Sequence, residues 1–279
     1  MSDDPRPRRS ALYLPANRDS AIAKARTLAA DCVILDLEDA VQPDAKDAAR
    51  DAALAAANAG GWGTRELLLR VNGLGTPCSD ADFAAARAGA FDAVVVPKVD
   101  SAADAARAVA AAGGLPVWAM IETPRGVLAA PAIAAVPGVG ALLAGMADLA
   151  NDLHARPDAA RTPLLYSLSA IIVAARAAGK LVFDGVFTDI HDAAAFEAEA
   201  QQGLMLGFDG KSLIHPSQVD PCNRVFSPSA ADIADAQGLI AAYEAGLASG
   251  AGVTTFKGRL VEVLHVAEAR RLLALAARG

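Results

Sequence analysis

Short apolar segments and alanine-rich stretches alternate along most of the chain. The apolar segments are residues 10–16, 32–41, 66–72, 93–99, 116–123, 141–149, 181–190 and 203–214. Each is almost continuously apolar, as is typical of strands buried on both faces of a parallel sheet. The stretches between them, such as residues 45–58 and 162–179, have the length and composition of crossover helices. The pattern therefore predicts eight β/α units.

Eight such units within about 220 residues predict a (β/α)8 TIM barrel, which we expect to occupy residues 1–217. A doubly wound open sheet is the alternative, but no G-x-G-x-x-G motif follows the first apolar segment. The rhythm changes after Pro216, and we interpret residues 218–279 as a C-terminal helical extension or arm. The elements expected in this extension are a helix, a loop and a second helix, at residues 229–249, 250–257 and 260–278.

Composition and charge narrow the range of functions. Apolar residues make up 54% of the chain and charged residues 20%, which excludes an intrinsically disordered protein. The net charge of −7 argues against nucleic acid as a partner and against a basic membrane-binding surface. The polar N-terminus and the lack of long uncharged apolar stretches predict a cytoplasmic protein without a signal peptide or membrane span. Three dispersed cysteines and four dispersed histidines give no zinc-site pattern.

Polar side chains cluster at the carboxyl ends of the apolar segments, which form the catalytic face of a TIM barrel. Glu122 and Asp148 end consecutive segments, so their side chains are expected to lie side by side. Two carboxylates placed in this way can bind a hard divalent cation such as Mg²⁺ through oxygen. The alternative is that one carboxylate caps a helix and the other forms a surface ion pair. The spacing alone leaves both interpretations open.

A basic residue and three acids follow the neighbouring second and third segments. Arg70 can hold a carboxylate with two hydrogen bonds, stabilise a developing enolate, or form a structural ion pair. Strand alternation places Asp36 and Glu38 on one face, while Asp39 points away. Because acids at the end of a buried strand are costly unless they are paired, we expect Arg70 to be their partner rather than expecting direct proton transfer.

Two lysines raise a competing chemistry. Lys98 follows the fourth segment and Lys211 lies in the eighth, and a lysine at a barrel strand end can form a Schiff base with a carbonyl substrate. The ordinary interpretation is a solvated or ion-paired lysine, with Lys98 supporting the acidic residues around it.

The motifs taken in order resemble the citrate lyase β-subunit family, the branch of CoA-ester lyases that includes malyl-CoA and citramalyl-CoA lyases. The resemblance runs almost end to end and rests on SALYLPANRDSAIAKA, ADCVILDLEDAVQPDAKDAAR, LLLRVN, VVVPKVDSA, AMIETPRGV, GMADLANDL, FDGVFTDIHD and GFDGKSLIHPSQV. It implies a TIM barrel, a Mg²⁺ cofactor, and cleavage or formation of a C–C bond in a 3-hydroxyacyl-CoA. The expected products are acetyl-CoA and a 2-oxo acid.

The same resemblance assigns roles to individual residues. It implies that Glu122 and Asp148 bind the metal, that Arg70 binds the substrate acid or enolate, and that Tyr13 and Lys24 contribute to the CoA site. It also implies a homotrimer or hexamer, and it leaves citrate lyase partner subunits as a possibility.

Three features depart from the family pattern. Ala16 stands where a glycine usually precedes the asparagine of the opening loop, and the loop after the sixth segment is short. In the C-terminal arm, larger lyases carry an aspartate in a VD-x-P-like motif, whereas this chain has Glu262 in LVEVLHVAEA. We expect Glu262 either to serve as the catalytic acid, in its own or a neighbouring subunit, or to mark an arm that no longer closes the site.

Three alternatives to the lyase stay open. The first is an aldolase that acts on free 2-oxo acids, with the metal or with Lys98 or Lys211 as a Schiff base. The second is a malate-synthase-like thioester hydrolase. The third is a catalytically weak acyl-CoA-binding subunit.

Overall fold

A computed structural model describes residues 6–249 and 253–277 of the chain. Eight parallel strands pair in sequence order, and the first also pairs with the last, so the sheet closes into a barrel. The strands are β1 Ser10–Pro15, β2 Cys32–Asp36, β3 Glu66–Arg70, β4 Ala93–Val96, β5 Val117–Ile121, β6 Val139–Ala144, β7 Leu181–Asp184 and β8 Gly210–Leu213. The predicted TIM barrel is therefore confirmed.

Helices follow the strands and cover the outside of the barrel. They are α1 Asp19–Ala25, α2 Lys46–Asn58, α3 Ser79–Ala88, α4 Ala102–Ala112, α5 Pro124–Ala134, α6 Met146–Asp152, α7 Leu165–Ala177, α8 Ala193–Leu206 and α9 Val219–Val225. Local sequence sets several of their first residues. Ser101 caps α4 by accepting a hydrogen bond from the Asp104 N–H at 3.1 Å, and Thr123 caps α5 by accepting one from the Gly126 N–H at 2.9 Å. The Thr123 cap ends β5 abruptly and leaves Glu122 at the strand tip.

Two apolar layers hold the barrel together. Alternate strand residues point inward and fill its interior, where Trp118 and Phe183 stack with ring centroids 4.6 Å apart. The other strand residues point outward and pack against the helices in a larger core. Both strand faces are buried, which explains why the segments read as continuous apolar runs.

Two of the predicted strands include residues that are helical. The segment 141–149 covers β6 and then the first turns of α6, so Asp148 is the third residue of a helix rather than a strand end. The segment 203–214 begins with the last turn of α8, and only Gly210–Leu213 forms a strand. In both places the apolar run continues across the boundary because the helix also packs on the core.

The chain divides into two compact units, the first containing residues 8–226 and the second beginning at Ser227. The elements of the second unit are α10 Ala230–Ala248, β9 Thr254–Phe256, β10 Arg259–Val261 and α11 Val263–Ala276. The antiparallel pair of β9 and β10 replaces the end of the predicted loop and the start of the predicted final helix. Residues 250–252 of that loop and residue 278 of that helix lie outside the described residues, and the domain boundary at 217/218 stays a prediction.

No helix in the described part of the chain combines the length and the apolar character that are needed to cross a bilayer.

Candidate active site

A cavity of about 410 Å³ opens where the strands end at their carboxyl termini. Six of the predicted site residues line it: Tyr13, Asp36, Asp39, Arg70, Glu122 and Asp148. The apolar part of the wall includes Met120, Met146, Val186 and Ile214. The structure therefore brings most of the predicted site residues to one place, at the end of the barrel where TIM-barrel enzymes carry their active sites.

Glu122 lies at the tip of β5 and is only 5% exposed. Its Oε1 accepts a hydrogen bond from the backbone N–H of Lys98 at 2.7 Å. Burial raises the pKa of Glu122 to about 7; the Lys98 hydrogen bond opposes the increase and the negative charge of Asp148 adds to it. Its carboxylate also packs against Gly145, where a Cβ atom would come within 2.6 Å of Glu122 Oε2. Gly145 therefore provides the space that this carboxylate occupies.

Asp148 is in the first turn of α6, with a half-buried side chain. Its Oδ2 lies 3.5 Å from the Nζ of Lys98, whose own side chain is 53% exposed. Burial alone would lower the pKa of Lys98, but the nearby Asp148, Glu122 and Glu38 carboxylates outweigh it and raise this pKa. A Schiff-base lysine needs a lowered pKa, so this environment does not favour Lys98 as a nucleophile.

The acidic pair fits a magnesium ion. Glu122 and Asp148 supply hard oxygen ligands, and the negative charge of Asp148 raises the pKa of Glu122, a repulsion that a divalent cation would relieve. In the described part of the chain no three His, Cys, Asp or Glu side chains are grouped as metal ligands. Mg²⁺ typically takes one or two protein carboxylates and fills its remaining positions with water and substrate oxygens, so a two-carboxylate set suffices.

Arg70 is the centre of an ion-pair cluster beside this acidic pair. Its guanidinium donates two hydrogen bonds to Asp36, from Nε to Oδ1 and from Nη2 to Oδ2, both at 2.6 Å. Its Nη1 lies 2.7 Å from Glu38 Oε2 and 3.3 Å from Asp39 Oδ2. Because β2 ends at Asp36, strand alternation does not extend to Asp39, whose carboxylate reaches Arg70 instead of pointing away. Burial alone would lower the pKa of Arg70, but Asp36 and Glu38 outweigh it and raise this pKa.

Tyr13 lies on the inward face of β1, with its ring under the Arg70 guanidinium at 5.0 Å from the ring centroid. Its ring reaches the cavity, but its hydroxyl is buried and has no hydrogen-bond partner in the described part of the chain. Burial raises the pKa of this phenol, so it stays protonated and can donate a hydrogen bond.

Glu38 and Lys98 contact residues that line the cavity, through Arg70 and Asp148, and the remaining two predicted site residues are Lys24 and Glu262. Lys24 lies in the last turn of α1 and is exposed. Glu262 belongs to the second unit, where it precedes α11 and its backbone N–H donates to His265 Nδ1 at 3.0 Å. The CoA-binding role of Lys24 and the acid role of Glu262 stay predictions.

Lys211 faces away from the cavity. Ser212 lines the cavity, so its neighbour Lys211 points outward from the barrel, where it is fully buried. Its Nζ contacts Asp184 Oδ2 at 3.1 Å, Glu199 Oε1 at 2.7 Å and the Gly185 carbonyl at 2.6 Å. Arg161 also donates to Asp184, at 2.7 Å. Lys211 is therefore a structural ion-pair residue, and a Schiff base at this position is excluded by its direction.

Similarity to known proteins identifies the family of this chain. The family model described as HpcH/HpaI aldolase/citrate lyase matches residues 9–216. The chain belongs to this family. A relative named (3S)-malyl-CoA thioesterase from Cereibacter sphaeroides is 42% identical over 99% of this chain and 97% of its own. The citrate lyase subunit beta of Leuconostoc mesenteroides is 36% identical, over 96% of this chain and 93% of its own.

A solved structure agrees with these sequence relatives. CitE from Mycobacterium tuberculosis, in complex with magnesium, acetoacetate and coenzyme A, superposes with a TM-score of 0.81 and 31% identity. The match covers 98% of this chain and 100% of the CitE chain. The resemblance to the citrate lyase β-subunit family is thereby confirmed.

Sequence reasoning missed two features of the candidate site in this chain. It did not identify Gly145, although the glycine stands directly before the MAD sequence that carries Asp148. It also missed the backbone N–H of Lys98 as the partner of Glu122, because the donor is a backbone group that no residue type indicates.

Proposed function

We propose that this protein is a Mg²⁺-dependent enzyme that acts on 3-hydroxyacyl-CoA thioesters of the malyl-CoA class. The observation that carries the proposal is the placement of Glu122 and Asp148 in one cavity beside the Arg70 cluster. The (3S)-malyl-CoA thioesterase relative supports the substrate class, and the magnesium and coenzyme A of the CitE complex support the cofactor and the thioester.

Glu122 and Asp148 would hold the ion. Mg²⁺, when bound, supplies a Lewis acid that polarises the substrate oxygens. The backbone N–H of Lys98 keeps the Glu122 carboxylate in place, and Gly145 leaves room for it. The acyl carboxylate and hydroxyl of the substrate would lie toward this pair.

Arg70 supplies fixed positive charge. The two hydrogen bonds that Arg70 donates to Asp36 hold its guanidinium over Tyr13, so it is oriented before the substrate arrives. Fixed charge next to a developing oxyanion lowers the barrier without reorganisation during the reaction. Glu38 contacts the same guanidinium; burial raises its pKa to about 7 and Arg70 opposes the increase. A carboxylate with this pKa can accept and return a proton at neutral pH.

Two reactions are compatible with this geometry. In hydrolysis, water adds to the thioester carbonyl, the C–S bond breaks, and malate and free CoA leave. In C–C cleavage, the substrate hydroxyl loses its proton and the bond to the adjacent carbon breaks, which gives a 2-oxo acid and the enolate of acetyl-CoA; protonation of the enolate carbon then gives acetyl-CoA. Both create an oxyanion that Arg70 can stabilise.

We propose thioester hydrolysis as the first candidate and C–C cleavage as the second, the reverse of the order that the sequence analysis favours. The thioesterase relative is 42% identical to this chain, whereas the citrate lyase relative that supports cleavage is 36% identical. Residue roles, the homotrimer or hexamer and the cytoplasmic location remain predictions.

A product assay separates the two reactions. Purified protein is incubated with malyl-, citramalyl- or citryl-CoA, in Mg²⁺ or in EDTA, while free thiol and 2-oxo acid are measured in parallel. We expect thiol without 2-oxo acid from malyl-CoA, and no product in EDTA. Glu122→Gln and Asp148→Asn should each lower turnover by about a hundredfold or more, since each removes a charged ligand. Glu197→Gln is the matched control, because Glu197 of α8 forms an exposed ion pair with Arg224 of α9.

The outcomes discriminate between the candidates. Release of 2-oxo acid without thiol would replace hydrolysis with cleavage. Absence of both products from folded, Mg²⁺-loaded protein on all three substrates would overturn the proposed function.

A further inference from the structure

Lys98 contacts both members of the acidic pair, each through a different group. Its backbone N–H donates to Glu122 Oε1 at 2.7 Å, and its Nζ lies 3.5 Å from Asp148 Oδ2. The backbone at Lys98 is left-handed, with φ of 51°. A long side chain rarely adopts this conformation, and such residues concentrate at functional sites.

The local charge balance explains why the Lys98 side chain lies beside the acidic pair. Five carboxylates border the site, on Asp36, Glu38, Asp39, Glu122 and Asp148, and the cations beside them are Arg70 and Lys98. If all are ionised, this leaves an excess of three negative charges.

Arg70 is engaged by the carboxylates of the β2 end. Within the described residues, Lys98 is the only cationic side chain that lies within 4.0 Å of a Glu122 or Asp148 carboxylate oxygen. Its ammonium therefore occupies the position of a counter-ion for the acidic pair.

The Lys98 side chain can also move away from Asp148. It is 53% exposed, and the Nζ–Asp148 separation of 3.5 Å makes this a loose ion pair of the kind that contributes little stability. The backbone contact with Glu122 does not depend on where the ammonium lies. Glu122 can thus stay in position while the ammonium moves.

We propose that Lys98 is an internal counter-cation that Mg²⁺ displaces from Asp148, and that the released ammonium then binds a carboxylate of the substrate. This inference rests on the metal site of the proposed function. It predicts an order of binding, with the metal before the acyl group, and it makes Lys98 a positioning residue for the substrate rather than a nucleophile.

The test measures two affinities that should move in opposite directions. Calorimetry gives the Kd of Mg²⁺, and then the Kd of malate in saturating Mg²⁺, for the wild type and Lys98→Met. Loss of a competing positive charge beside the ion should tighten Mg²⁺ binding by about three- to tenfold at low salt. Loss of the released ammonium should weaken malate binding by about tenfold.

Measurements at high ionic strength and on further variants test whether the lost charge causes the change in Mg²⁺ affinity. The gain in Mg²⁺ affinity should shrink in 1 M salt, because screening weakens exposed charge interactions. Lys98→Arg keeps the charge and should stay close to the wild type for Mg²⁺. Lys98→Asn is a second neutral variant whose side chain tolerates a left-handed backbone, in case Lys98→Met folds poorly. Lys180→Met removes the same charge at the amino end of β7 and is the matched control.

Three results would overturn the inference. A merely structural lysine would give weaker Mg²⁺ and weaker malate binding together, which would overturn the inference. Unchanged Mg²⁺ affinity in both neutral variants would overturn it as well and leave the proposed function intact. Absence of Mg²⁺ binding in the wild type would overturn both the inference and the proposed metal site.

Discussion

Gly145 shows how much a single hydrogen atom in place of a side chain can matter at this site. A Cβ at this position would meet Glu122 Cβ at 2.4 Å and Oε2 at 2.6 Å. The backbone φ of −94° suits alanine, so the conflict is steric rather than conformational. We expect Gly145→Ala to displace the carboxylate, weaken Mg²⁺ binding at least about tenfold, and cost about 1–3 kcal/mol of stability as an overpacked site.

A glycine on the preceding strand provides the control for Gly145→Ala. At Gly140 in β6 the nearest atom to an added Cβ would be Pro116 Cβ at 3.4 Å, an ordinary contact. Calorimetric Mg²⁺ titrations of the two variants should therefore differ sharply. Equal Mg²⁺ affinity in Gly145→Ala and Gly140→Ala would contradict the role given to Gly145.

The residue scale also shows where sequence reasoning succeeds. The pairing of Arg70 with Asp36 and Glu38 follows from the cost of unpaired buried charge on neighbouring strands, and the structure confirms it. The contact between the Lys98 N–H and Glu122 could not be predicted, because the donor is a backbone group that no side-chain pattern indicates.

At the scale of elements, a buried ion-pair cluster joins α8 to β7 and β8. Glu199 of α8 contacts Lys211 at 2.7 Å and is 15% exposed at its side chain, whereas Glu197 pairs with Arg224 in solvent. Removal of one charge from a buried hydrogen-bonded pair leaves its partner poorly compensated. We expect Glu199→Gln to lower the free energy of unfolding by about 2 kcal/mol.

The same substitution two residues away is its control. Glu197→Gln removes an exposed pair from the same helix and should cost less than about 1 kcal/mol. Urea denaturation of the two variants compares them directly. Equal losses would mean that the cluster does not secure α8.

The strands themselves were largely predictable, and their ends were not. Because both faces of β1–β5 are buried, these strands appear in the sequence as continuous apolar segments. The apolar segments at β6 and β8 also include helical residues, which pack on the same core. The Asp184–Lys211–Arg161 cluster was missed, because Arg161 comes from a loop and meets Asp184 only in the closed fold.

For the whole molecule, buried charge predicts a response to acid. Burial alone would raise the pKa of Asp184, but Lys211 and Arg161 outweigh it and hold this pKa below its ordinary value. A carboxylate with a depressed folded-state pKa contributes stability above its unfolded value of about 3.9, and that stability is lost as the pH falls through the folded value. We expect Asp184→Asn, which mimics the protonated form, to destabilise the protein by about 3–5 kcal/mol near pH 7.

The pH dependence checks the origin of this effect. In urea titrations between pH 3 and 7, the difference between wild type and Asp184→Asn should be constant above about pH 5 and shrink below about pH 4. A difference that does not change with pH would point to lost packing instead of lost charge.

Closure of the barrel has a consequence for its synthesis. β1 pairs with β2 on one side and with β8 on the other, through Ser10–Lys211 and Leu12–Leu213. While the ribosome adds the roughly 200 residues between those partners, at about 5–20 residues per second, one side of β1 waits for about 10–40 s. During that interval its unpaired N–H and C=O groups form an open sheet edge, the feature that recruits foreign strands and chaperones. The newborn chain therefore exposes this edge to aggregation until its last barrel strand emerges.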